Sequence, residues 1–455
     1  MKIYFIGIGG IGMSGLAEYM LSENNIVYGS DSVSSVITDR LAEKGAIIYT
    51  KHDKNNITDD IELVVYSSAI NSSNPEMIAA KEKNIRTIRR AELLGEIVNE
   101  MFLIAISGTH GKTSTTAMIA KMLIDAELDP TVFAGGAIDF LNNSPMRVGA
   151  GKIAVVEADE FDRSFLTLAP DVAIVNNIEE DHLDIYKDIN DIKSGFTEFV
   201  NQSKPESIII INGDDKNVLD IKKQILAEDI TLFGMNSTDD VYASDIEYFS
   251  TEEYTTAFNI ISNNINRGRA YLKVPGIHNI KNSLATYCVS EKLEIPFEIY
   301  FKSIADFNGV KRRLELVYKK GIKVYDDYAH HPTEIKNSLE GLRHISSGRI
   351  ITVFQPHLYT RTRDFYKDFA ESLALSDLLI LTEIYPAREE KIEGVTSALI
   401  ADEYFKVKGE KAIYENAPDK INLILKDRVR DGDTIVFQGA GSITLYCQNF
   451  VKSLF

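Results

Sequence analysis

The sequence predicts an α/β fold of three domains with mostly parallel β-sheets. Its 455 residues are enough for two to four domains, each with a core of its own. Short apolar runs alternate with helical patterns, which is typical of parallel strands covered by helices on both faces. Two of these runs end in glycine loops that open a helix, and that arrangement favours the binding of phosphate groups.

The composition is that of an ordinary globular protein, with 44% apolar and 25% charged residues and a net charge of −18. This acidic balance argues against a nucleic-acid partner, which would require a basic surface. Apolar windows stay well below the roughly 18 residues of a membrane span, so we expect no membrane partner. Cys288 and Cys447 form no spaced pair, which favours a reducing cytoplasm.

The first domain is predicted at residues 1–100 and opens with an apolar strand at residues 2–6, which we do not interpret as a signal peptide. A G-x-G-x-x-G loop and a helix follow, and a second strand ends at Asp31. This fingerprint alone suggests NAD, but the same geometry binds any diphosphate, including that of a nucleotide sugar. The residues predicted to contact a diphosphate-bearing ligand are Gly7, Gly9, Gly10, Gly12, Asp31, Ser67 and Ser68.

The second domain, predicted at residues 101–305, is organised around an apolar strand that enters the loop G-T-H-G-K-T and then a helix. The backbone N–H groups of such a loop cradle phosphate oxygens. Lys112 would reach the outer phosphates, and the Thr113 hydroxyl would ligate Mg²⁺. The common pattern has a glycine five residues before Gly111, where this chain has Ile106. A nucleoside triphosphate is the expected ligand.

Two further strands of this domain end in side chains that could bind a metal. Glu157, Asp159 and Glu160 follow an apolar run, where a carboxylate must stand to hold Mg²⁺ beside a phosphate loop. The alternative is a solvated acidic loop. His182 lies beside acids after the strand predicted at residues 171–178, and it is either structural or a ligand of a second metal.

The last part of the second domain reads as a small antiparallel addition at residues 231–273, followed by a helix. Asn279 and Asn282 lie three residues apart and therefore on one face of that helix. Their amides suit contact with a purine edge or a phosphate. Capping of the helix by Asn279 is the plain alternative.

The third domain, predicted at residues 306–455, again alternates strands and helices, and its strand ends carry many polar side chains. Zinc is not expected, because adjacent histidines point to different sides and no H-x-x-x-H or cysteine partner is present. Clustered arginines and histidines better suit an anionic substrate and phosphoryl charge. The set comprises Asp326, Asp327, Tyr328, His330, His331, His357, Tyr359, Arg361 and Arg363.

Together and in this order, the motifs resemble those of the Mur ligases, which are ATP-dependent amide-forming enzymes of peptidoglycan synthesis. The motifs are GTHGKT, EADE, NNIEEDHLDIY, GIHNIKN, KRRLE, DDYAHHPTEI and FQPHLYTRTRD. The resemblance runs nearly end to end. It implies a UDP-binding Rossmann-like domain, a central P-loop ATPase and a C-terminal Rossmann-like domain. The implied reaction joins L-alanine to UDP-N-acetylmuramate through an acyl phosphate, with ATP and Mg²⁺. We expect a monomer or a weak dimer.

By motif position, the resemblance also assigns the ATP site. Thr113 and Glu157 resemble ligands of a first metal, and His182 resembles a ligand of a second. Asn279 resembles the adenine-side contact and Asn282 a nearby ATP-site residue. The residues that resemble the ATP-binding loop are Gly108, Thr109, His110, Gly111, Lys112, Thr113 and Ser114.

In the third domain, Arg313 or its neighbour Arg312 resembles an inter-domain ATP contact, and so does Asp327. Closure of this domain onto the second is expected, with a hinge near residues 304–308. Leu358 stands where the family often has an arginine, which changes one anionic contact of the amino-acid pocket. Ala329 replaces a common glycine. The residues that resemble the pocket for the incoming amino acid are Tyr328, His357 and Arg361.

Three other functions are compatible with parts of the sequence. A murein peptide ligase that reattaches a recycled tripeptide would share the ATP loop and the UDP domain. A regulatory GTPase is disfavoured, because no N-K-x-D motif follows the loop and the glycine spacing is wrong. An NAD dehydrogenase would leave the Gly-Lys-Thr sequence unexplained.

Overall fold

A computed structural model describes residues 1–181, 185–250, 253–387 and 389–454. The chain divides into two compact units, which are Met1–Tyr242 with Asn282–Tyr300, and Ala243–Lys281 with Phe301–Phe455. Across the described ranges, no helix is both long and apolar enough to cross a membrane. The three domain boundaries drawn from the sequence stay a prediction.

The first unit begins with a wholly parallel sheet. Its strands are β1 (Lys2–Ile6), β2 (Ile26–Ser30), β3 (Ile47–Tyr49), β4 (Leu63–Tyr66) and β5 (Arg86–Arg89). Its helices are α1 (Ile11–Ser22), α2 (Val36–Glu43), α3 (Pro75–Glu82) and α4 (Arg90–Val98). The strand order is β3-β2-β1-β4-β5, as in a Rossmann-like fold. The order reverses beside β1, and a crevice for ligands lies at such a point.

The phosphate loop belongs to a second, larger sheet of the same unit, where it follows one of the central strands. Its strands are β6 (Phe102–Ser107), β7 (Thr131–Ile138), β8 (Ser144–Arg147), β9 (Ile153–Glu157), β10 (Val172–Val175), β11 (Ile208–Asn212) and β12 (Asp229–Gly234). Its helices are α5 (Lys112–Asp125), α6 (Ile189–Asn201) and α7 (Lys216–Lys222). The order is β12-β11-β10-β6-β9-β7-β8, and the β7–β8 pair is antiparallel. Because β6 lies between β9 and β10, the ends of these strands flank the loop.

Three elements belong partly to each unit, namely β13 (Val241–Tyr248), α8 (Ile277–Lys292) and α9 (Phe297–Ala305). In the second unit, β14 (Thr256–Ser262) and β15 (Ile265–Leu272) pair in antiparallel fashion, as the sequence predicts for the end of the second domain. By contrast, β12 pairs in parallel with both β11 and β13, so the antiparallel pairing shown here is that of β14 with β15 and does not begin at residue 231.

The C-terminal part of the second unit forms a further α/β sheet. Its strands are β16 (Glu315–Lys320), β17 (Ile322–Asp327), β18 (Ile350–Phe354), β19 (Leu378–Leu381), β20 (Ile413–Tyr414) and β21 (Thr434–Gln438). Its helices are α10 (Pro332–Ile345), α11 (Tyr359–Leu373), α12 (Ala398–Lys408), α13 (Pro418–Arg428) and α14 (Ile443–Lys452). The strand order is β16-β17-β21-β18-β19-β20, with an antiparallel β16–β17 pair and parallel neighbours elsewhere.

Burial on both faces of the sheets explains the continuous apolar runs of the sequence. In β18, Ile350 and Phe354 pack into the core on one face, while Ile351 and Val353 pack into the core on the other. Successive side chains of a strand point to opposite faces, so a strand with helices on both sides is apolar at most of its positions. The buried Thr352 of β18 is accommodated by a hydrogen bond with Ser376. The mixed α/β class predicted from these runs is confirmed.

The strands nevertheless end earlier than their sequence patterns indicate. The strand predicted at residues 171–178 ends at Val175, and the run that continues to Glu160 in the sequence ends as a strand at Glu157. The residues that follow each strand leave the sheet at its carboxyl edge and form a turn. Their polar groups therefore lie at that edge and not between the helices that cover the sheet. Candidate site residues therefore lie in the loops that follow the strands.

Candidate active site

The phosphate loop predicted from the sequence begins in the connection between β6 and α5, residues 108–111, and continues into the first turn of α5. Gly108 has φ +136° and Gly111 has φ +82°, a backbone conformation that side chains oppose. A Cβ atom at Gly108 would lie 3.0 Å from Asn176 Cβ, so the loop packs closely against the turn after β10. Ile106, at the position of the glycine in the common motif, is a buried residue of β6. This loop is therefore shorter than the common one.

Backbone contacts fix the shape of the loop. The N–H of Thr109 donates to Asn177 O (3.1 Å), and the N–H of His110 donates to Asn177 Oδ1 (2.7 Å). The N-cap residue of α5 is Gly111, which has no side chain to act as a cap, and the first residues of the helix are Lys112, Thr113 and Ser114. A helix start of this kind offers backbone N–H groups and partial positive charge to an anion.

Lys112 is the cation of the loop, and its side chain is only 12% exposed. Its Nζ donates to Gly108 O (2.6 Å) and to the Glu160 carboxylate, 2.7 Å from Oε2. Burial opposes the charge of Lys112, but Glu160, Asp159 and Glu157 outweigh it and raise the lysine pKa. Burial raises the pKa of Glu160 to about 7, against the opposing effect of Lys112. Lys112 is therefore a charged group held inside the loop.

The two residues predicted to ligate a first metal lie together. Thr113 Oγ1 donates to Glu157 Oε1 at 3.1 Å, and the N–H of Gly135 donates to Glu157 Oε2 at 2.6 Å. A hydroxyl and a carboxylate at the end of a phosphate loop are oxygen donors of the kind that Mg²⁺ prefers. His182, the predicted ligand of a second metal, lies outside the described residues.

The two predicted asparagines have different surroundings. Asn282 is buried, and a Cβ atom at Gly111 would lie 2.8 Å from its Oδ1, so its amide lies against the phosphate loop. Asn279 belongs to the second unit, and its amide donates to Pro275 O (2.7 Å) in the turn that enters α8. This bond supports a structural role for Asn279 at the helix start. Its contact with adenine stays a prediction.

The glycine loop that follows β1 lies beside the ends of two other strands of the first sheet. Gly7 has φ +81°, and a Cβ atom there would lie 3.2 Å from Ser67 Oγ. The N–H of Gly9 donates to Asp31 Oδ2 at 2.9 Å. Gly10 caps α1 without a side-chain hydrogen bond. Ser68 is exposed on the turn after β4, and no contact among the described residues places it in this group.

Two features of this first sheet were not predicted from the sequence. A Cβ atom at Gly12 would lie 3.1 Å from Arg90 Cδ and Nη1, so the arginine stands beside the glycine loop. Glu76 is fully buried and accepts from Ser30 Oγ (2.6 Å) and from His52 Nδ1 (2.9 Å). No sequence signal marks Glu76, because a buried carboxylate is identified only by the partners that the fold brings to it. Further donors to Glu76 are Tyr4 Oη, Asn56 Nδ2 and Asp53 N.

Polar residues of the second unit cluster after β17 and β18. The ring centroid of His330 lies 5.3 Å from that of Tyr328 and 5.8 Å from that of His357. Arg361 Nη1 lies 3.3 Å from His357 Nδ1. The three residues predicted to bind the amino acid therefore belong to one cluster, which His330 joins. Tyr385, absent from the prediction, stacks on His357 with a centroid distance of 5.9 Å.

The acidic and basic residues beside this cluster are tied to the fold. Asp327 is buried, it accepts from Gln438 Nε2 (3.0 Å), and burial raises its pKa. Arg312 Cζ lies 4.8 Å and Arg313 Cζ 5.1 Å from the centroid of the Tyr328 ring. Such cation–π contacts hold both guanidinium groups at the edge of the cluster.

Leu358 is the N-cap residue of α11 and has an unusual backbone conformation. Its φ of +69° is costly for a residue with a branched side chain, and its N–H donates to Tyr385 O at 3.0 Å. Glu389 caps α11 instead, since it accepts from the N–H groups of Tyr359 (2.6 Å) and Thr360 (3.1 Å).

Ala329, which stands in place of a common glycine, is buried in the second-unit core.

Comparison with known proteins identifies three matching family models. They are described as Mur ligase family, catalytic domain (residues 2–101), Mur ligase middle domain (106–290), and Mur ligase, glutamate ligase domain (312–441). The UDP-N-acetylmuramate–L-alanine ligase of Clostridium novyi is 41% identical over 99% of this chain and 97% of its own length. That of Acetivibrio thermocellus is 42% identical over 99% of this chain and 95% of its own.

Solved structures show the same fold. The crystal structure of a UDP-N-acetylmuramate–alanine ligase from Thermotoga maritima matches with a TM-score of 0.83 and 28% identity, over 100% of this chain and 99% of that one. A murein peptide ligase from Psychrobacter arcticus matches with a TM-score of 0.71 over 100% of this chain and 98% of that one. At 23% identity, the second likeness concerns the fold alone.

Proposed function

The chain belongs to the Mur ligase family, and from this premise we propose that it joins L-alanine to the carboxylate of UDP-N-acetylmuramate with conversion of ATP to ADP and phosphate. The reaction supplies a precursor of peptidoglycan. Relatives named for this activity align with nearly the whole chain. The structural observation that carries the proposal is the phosphate loop, in which Lys112 lies inside the loop and Thr113 meets Glu157 at 3.1 Å.

The chemistry requires activation of a carboxylate. An unactivated carboxylate is a poor acyl donor, because the group that leaves would be oxide. Transfer of the γ-phosphoryl group from ATP to a carboxylate oxygen gives an acyl phosphate and ADP. The amine of L-alanine then attacks the acyl carbon, the tetrahedral intermediate expels phosphate, and the nitrogen loses a proton. The protein contributes mainly by positioning the reactants and neutralising charge.

At the ATP end, we assign Lys112 to the outer phosphates, because a buried cation inside a glycine loop matches their charge. The start of α5, where the N-cap residue Gly111 has no side chain, adds N–H groups. Asn282 lies against Gly111 and is proposed to order the loop. Adenine contact by Asn279 and ATP contacts by Arg313 and Asp327 complete the proposal. The loop residues assigned to ATP are Gly108, Thr109, His110, Gly111, Lys112, Thr113 and Ser114.

Mg²⁺ is the proposed metal, and the Thr113 hydroxyl and the Glu157 carboxylate would hold it. When bound, this ion neutralises charge on the phosphoryl oxygens. The donor set fits, since both side chains offer oxygen and lie within hydrogen-bond distance of each other. His182 is the proposed ligand of a second ion.

At the sugar-nucleotide end, the glycine loop before α1 is proposed to bind the diphosphate of UDP-N-acetylmuramate. Asp31 holds the loop at Gly9, and Ser67 stands beside Gly7. Arg90 adds a cation next to the same loop. The residues assigned to this ligand are Gly7, Gly9, Gly10, Gly12, Asp31, Ser67 and Ser68.

At the amino-acid end, Tyr328, His357 and Arg361 are proposed to bind L-alanine. Arg361 is largely buried and carries the charge that a carboxylate requires. Leu358 offers no charge, so the pocket is proposed to use fewer cationic contacts than an arginine at that position would allow.

The proposal includes a cytoplasmic setting and a monomer or weak dimer. Cys288 and Cys447 are both buried as free thiols, in keeping with a reducing compartment. Three domains at residues 1–100, 101–305 and 306–455 are proposed to bind the sugar nucleotide, ATP and the amino acid in turn. Their boundaries lie near the edges of the matching family models.

The direct test is phosphate release from MgATP by the purified chain with UDP-N-acetylmuramate and one of four acceptors: L-alanine, glycine, L-serine or the murein tripeptide. We expect release that needs both UDP-N-acetylmuramate and L-alanine. Lys112→Ala should lower this rate at least about 100-fold, because the lysine neutralises transition-state charge. If the tripeptide is the one acceptor that stimulates release in the presence of UDP-N-acetylmuramate, the chain would be reassigned to peptide recycling. No stimulation by any pair would overturn the ligase assignment.

A further inference from the structure

The ammonium group of Lys112 is surrounded by more hydrogen-bond acceptors than it has N–H donors. Its Nζ lies 2.6 Å from Gly108 O, 3.3 Å from Thr109 O, and 2.9 and 2.7 Å from the two carboxylate oxygens of Glu160. A lysine ammonium group has three N–H donors. The three shortest contacts therefore use all three N–H donors, and none is left for a phosphate oxygen. A nucleotide can bind Lys112 only by displacing one of these acceptors.

Of these acceptors, the Glu160 carboxylate is the one that can leave. The carbonyls of Gly108 and Thr109 are backbone groups of the loop, and the N–H of Thr109 is itself bonded to Asn177 O. The Glu160 backbone is also fixed, because its carbonyl accepts from Tyr186 Oη at 2.7 Å. Its side chain, in contrast, can rotate about its own bonds.

The pair is well shielded from water. Glu160 is 3% exposed, and within the described ranges Lys112 is the side-chain donor to its carboxylate. A buried carboxylate that neutralises a buried lysine keeps the loop from holding an uncompensated charge. The same negative charge opposes the arrival of a triphosphate, since like charges in a shielded site repel strongly.

We propose that Glu160 is a positioning residue that holds Lys112 in the phosphate loop until the phosphate oxygens of ATP replace its carboxylate. Glu160 therefore sets the affinity for ATP, because each binding event must break the Lys112–Glu160 pair. The proposal rests on the ATP site assigned under the proposed function. It gives Glu160 a role different from that of Glu157, whose carboxylate is bonded to Thr113 and Gly135.

The test measures binding of MgATP to the full chain by titration calorimetry, without the other substrates. Glu160→Gln keeps the size of the side chain and removes its charge. We expect this variant to bind MgATP about 3- to 30-fold more tightly than the unmodified chain, because no ion pair must be broken. The control is Asp162→Asn, which removes a carboxylate two residues along the chain from Glu160. Asp162 forms a half-exposed ion pair with Arg89. This substitution should leave the affinity unchanged.

A second readout separates positioning from simple support of the fold. Glu160→Gln should lower the KM for ATP while kcat stays within about 3-fold, since the carboxylate has already left when phosphoryl transfer occurs. Glu160→Asp keeps the charge on a shorter arm and should bind MgATP more weakly than Glu160→Gln. If the glutamine variant folds poorly, Glu160→Asp is compared with Asp162→Asn and the unmodified chain instead. It should then bind MgATP more tightly than both, because its shorter arm pairs less well with Lys112.

The outcomes are distinct. Unchanged or weaker MgATP binding by Glu160→Gln would overturn the inference. A raised Mg²⁺ requirement in that variant would instead make Glu160 part of the metal site and would also overturn it. If the unmodified chain binds no MgATP, the proposed ATP site itself fails. Binding by the unmodified chain without a gain in the variant contradicts only the role of Glu160.

Discussion

Lys112, Thr113 and Glu157 meet at the start of α5, and each is held by groups from another part of the chain. Thr113 lies on the helix, and Glu157 comes from the end of β9. These residues can be identified from the sequence because a phosphate loop fixes their chemistry at a known spacing. The partners of Lys112 and the donors around Glu76 could not be identified in that way. Those contacts depend on distant segments that only the folded chain brings together.

The role of Glu157 can be tested at the scale of this single residue. Glu157→Gln keeps the shape of the side chain but replaces an anionic oxygen donor by a neutral amide. We expect the Mg²⁺ concentration for half-maximal activity to rise at least about 10-fold, because a hard cation prefers charged oxygen. The measurement is the rate of phosphate release as a function of Mg²⁺ at saturating ATP.

The control for this test is Asp125→Asn on α5, which removes a carboxylate that pairs with Lys121 at 2.9 Å, away from the loop. Its Mg²⁺ dependence should match that of the unmodified chain. An unaltered Mg²⁺ requirement in Glu157→Gln would show that Glu157 does not ligate the metal.

At the scale of elements, the ends of parallel strands determine where the site forms. Apolar runs predict β6, β9 and β10 because helices cover both faces of the sheet. The sequence does not show where each strand stops, since the first polar residue can still belong to the ladder, as Glu157 does. It also gives no sign that Leu358 takes a positive φ, because the contacts of Tyr385 and Glu389 impose that turn.

The loop between β6 and α5 requires glycine at its last position. Gly111→Ala adds a Cβ atom 2.8 Å from Asn282 Oδ1 at a φ of +82°. Gly394→Ala is a matched control, because Gly394 has φ +79° and nothing lies within 4 Å of an added Cβ atom. Both variants should lose about 1 kcal/mol of stability through the backbone. Only Gly111→Ala should raise the KM for ATP, by about 10-fold or more, because it reshapes the phosphate loop.

Thermal unfolding and steady-state kinetics on the two alanine variants check this prediction. Equal KM values for ATP in both variants would mean that the shape of the loop at Gly111 does not govern nucleotide binding.

The turn before β21 contains a pH-sensitive ion pair. Asp433 is almost completely buried and accepts from Arg349 Nη2 (2.6 Å) and Arg430 N (2.9 Å). Burial opposes its charge, but the arginine and backbone donors lower the pKa of Asp433 below its ordinary value. A lowered pKa adds stability above the pKa of the unfolded chain, and this stability disappears as the pH falls through the folded value. Asp433→Asn should cost about 1–3 kcal/mol near pH 7.

Urea unfolding between pH 7 and pH 3 measures this effect. The difference in the free energy of unfolding between the unmodified chain and Asp433→Asn should narrow as the pH drops below about 4, where the carboxylate of the unfolded chain begins to take up a proton while that of the folded chain is still ionised. The exposed neighbour Asp431 provides a control, and Asp431→Asn should show little loss at any pH. A gap of constant size over this range would contradict the role of the ionised carboxylate.

At the scale of the whole molecule, three mostly parallel sheets each place polar side chains at their carboxyl edges. One edge carries the glycine loop with Asp31, another the phosphate loop, and the third the cluster of Tyr328 and His357. The order of these motifs along the chain made the architecture predictable, because each begins a new α/β pattern. A hinge near residues 304–308 stays a prediction. Matching domain orientations in crystals with and without ATP would count against it.

The central claim is that ATP activates the carboxylate of UDP-N-acetylmuramate for attack by L-alanine. The most direct measurement follows ¹⁸O from that carboxylate, with both carboxylate oxygens labelled, through one round of reaction with L-alanine and MgATP. Formation of an acyl phosphate transfers one labelled oxygen to phosphate and leaves the other in the new amide. Mass spectrometry should therefore find one ¹⁸O atom in each released phosphate and one in each product amide. Unlabelled phosphate, or phosphate release without the L-alanine amide, would contradict this account.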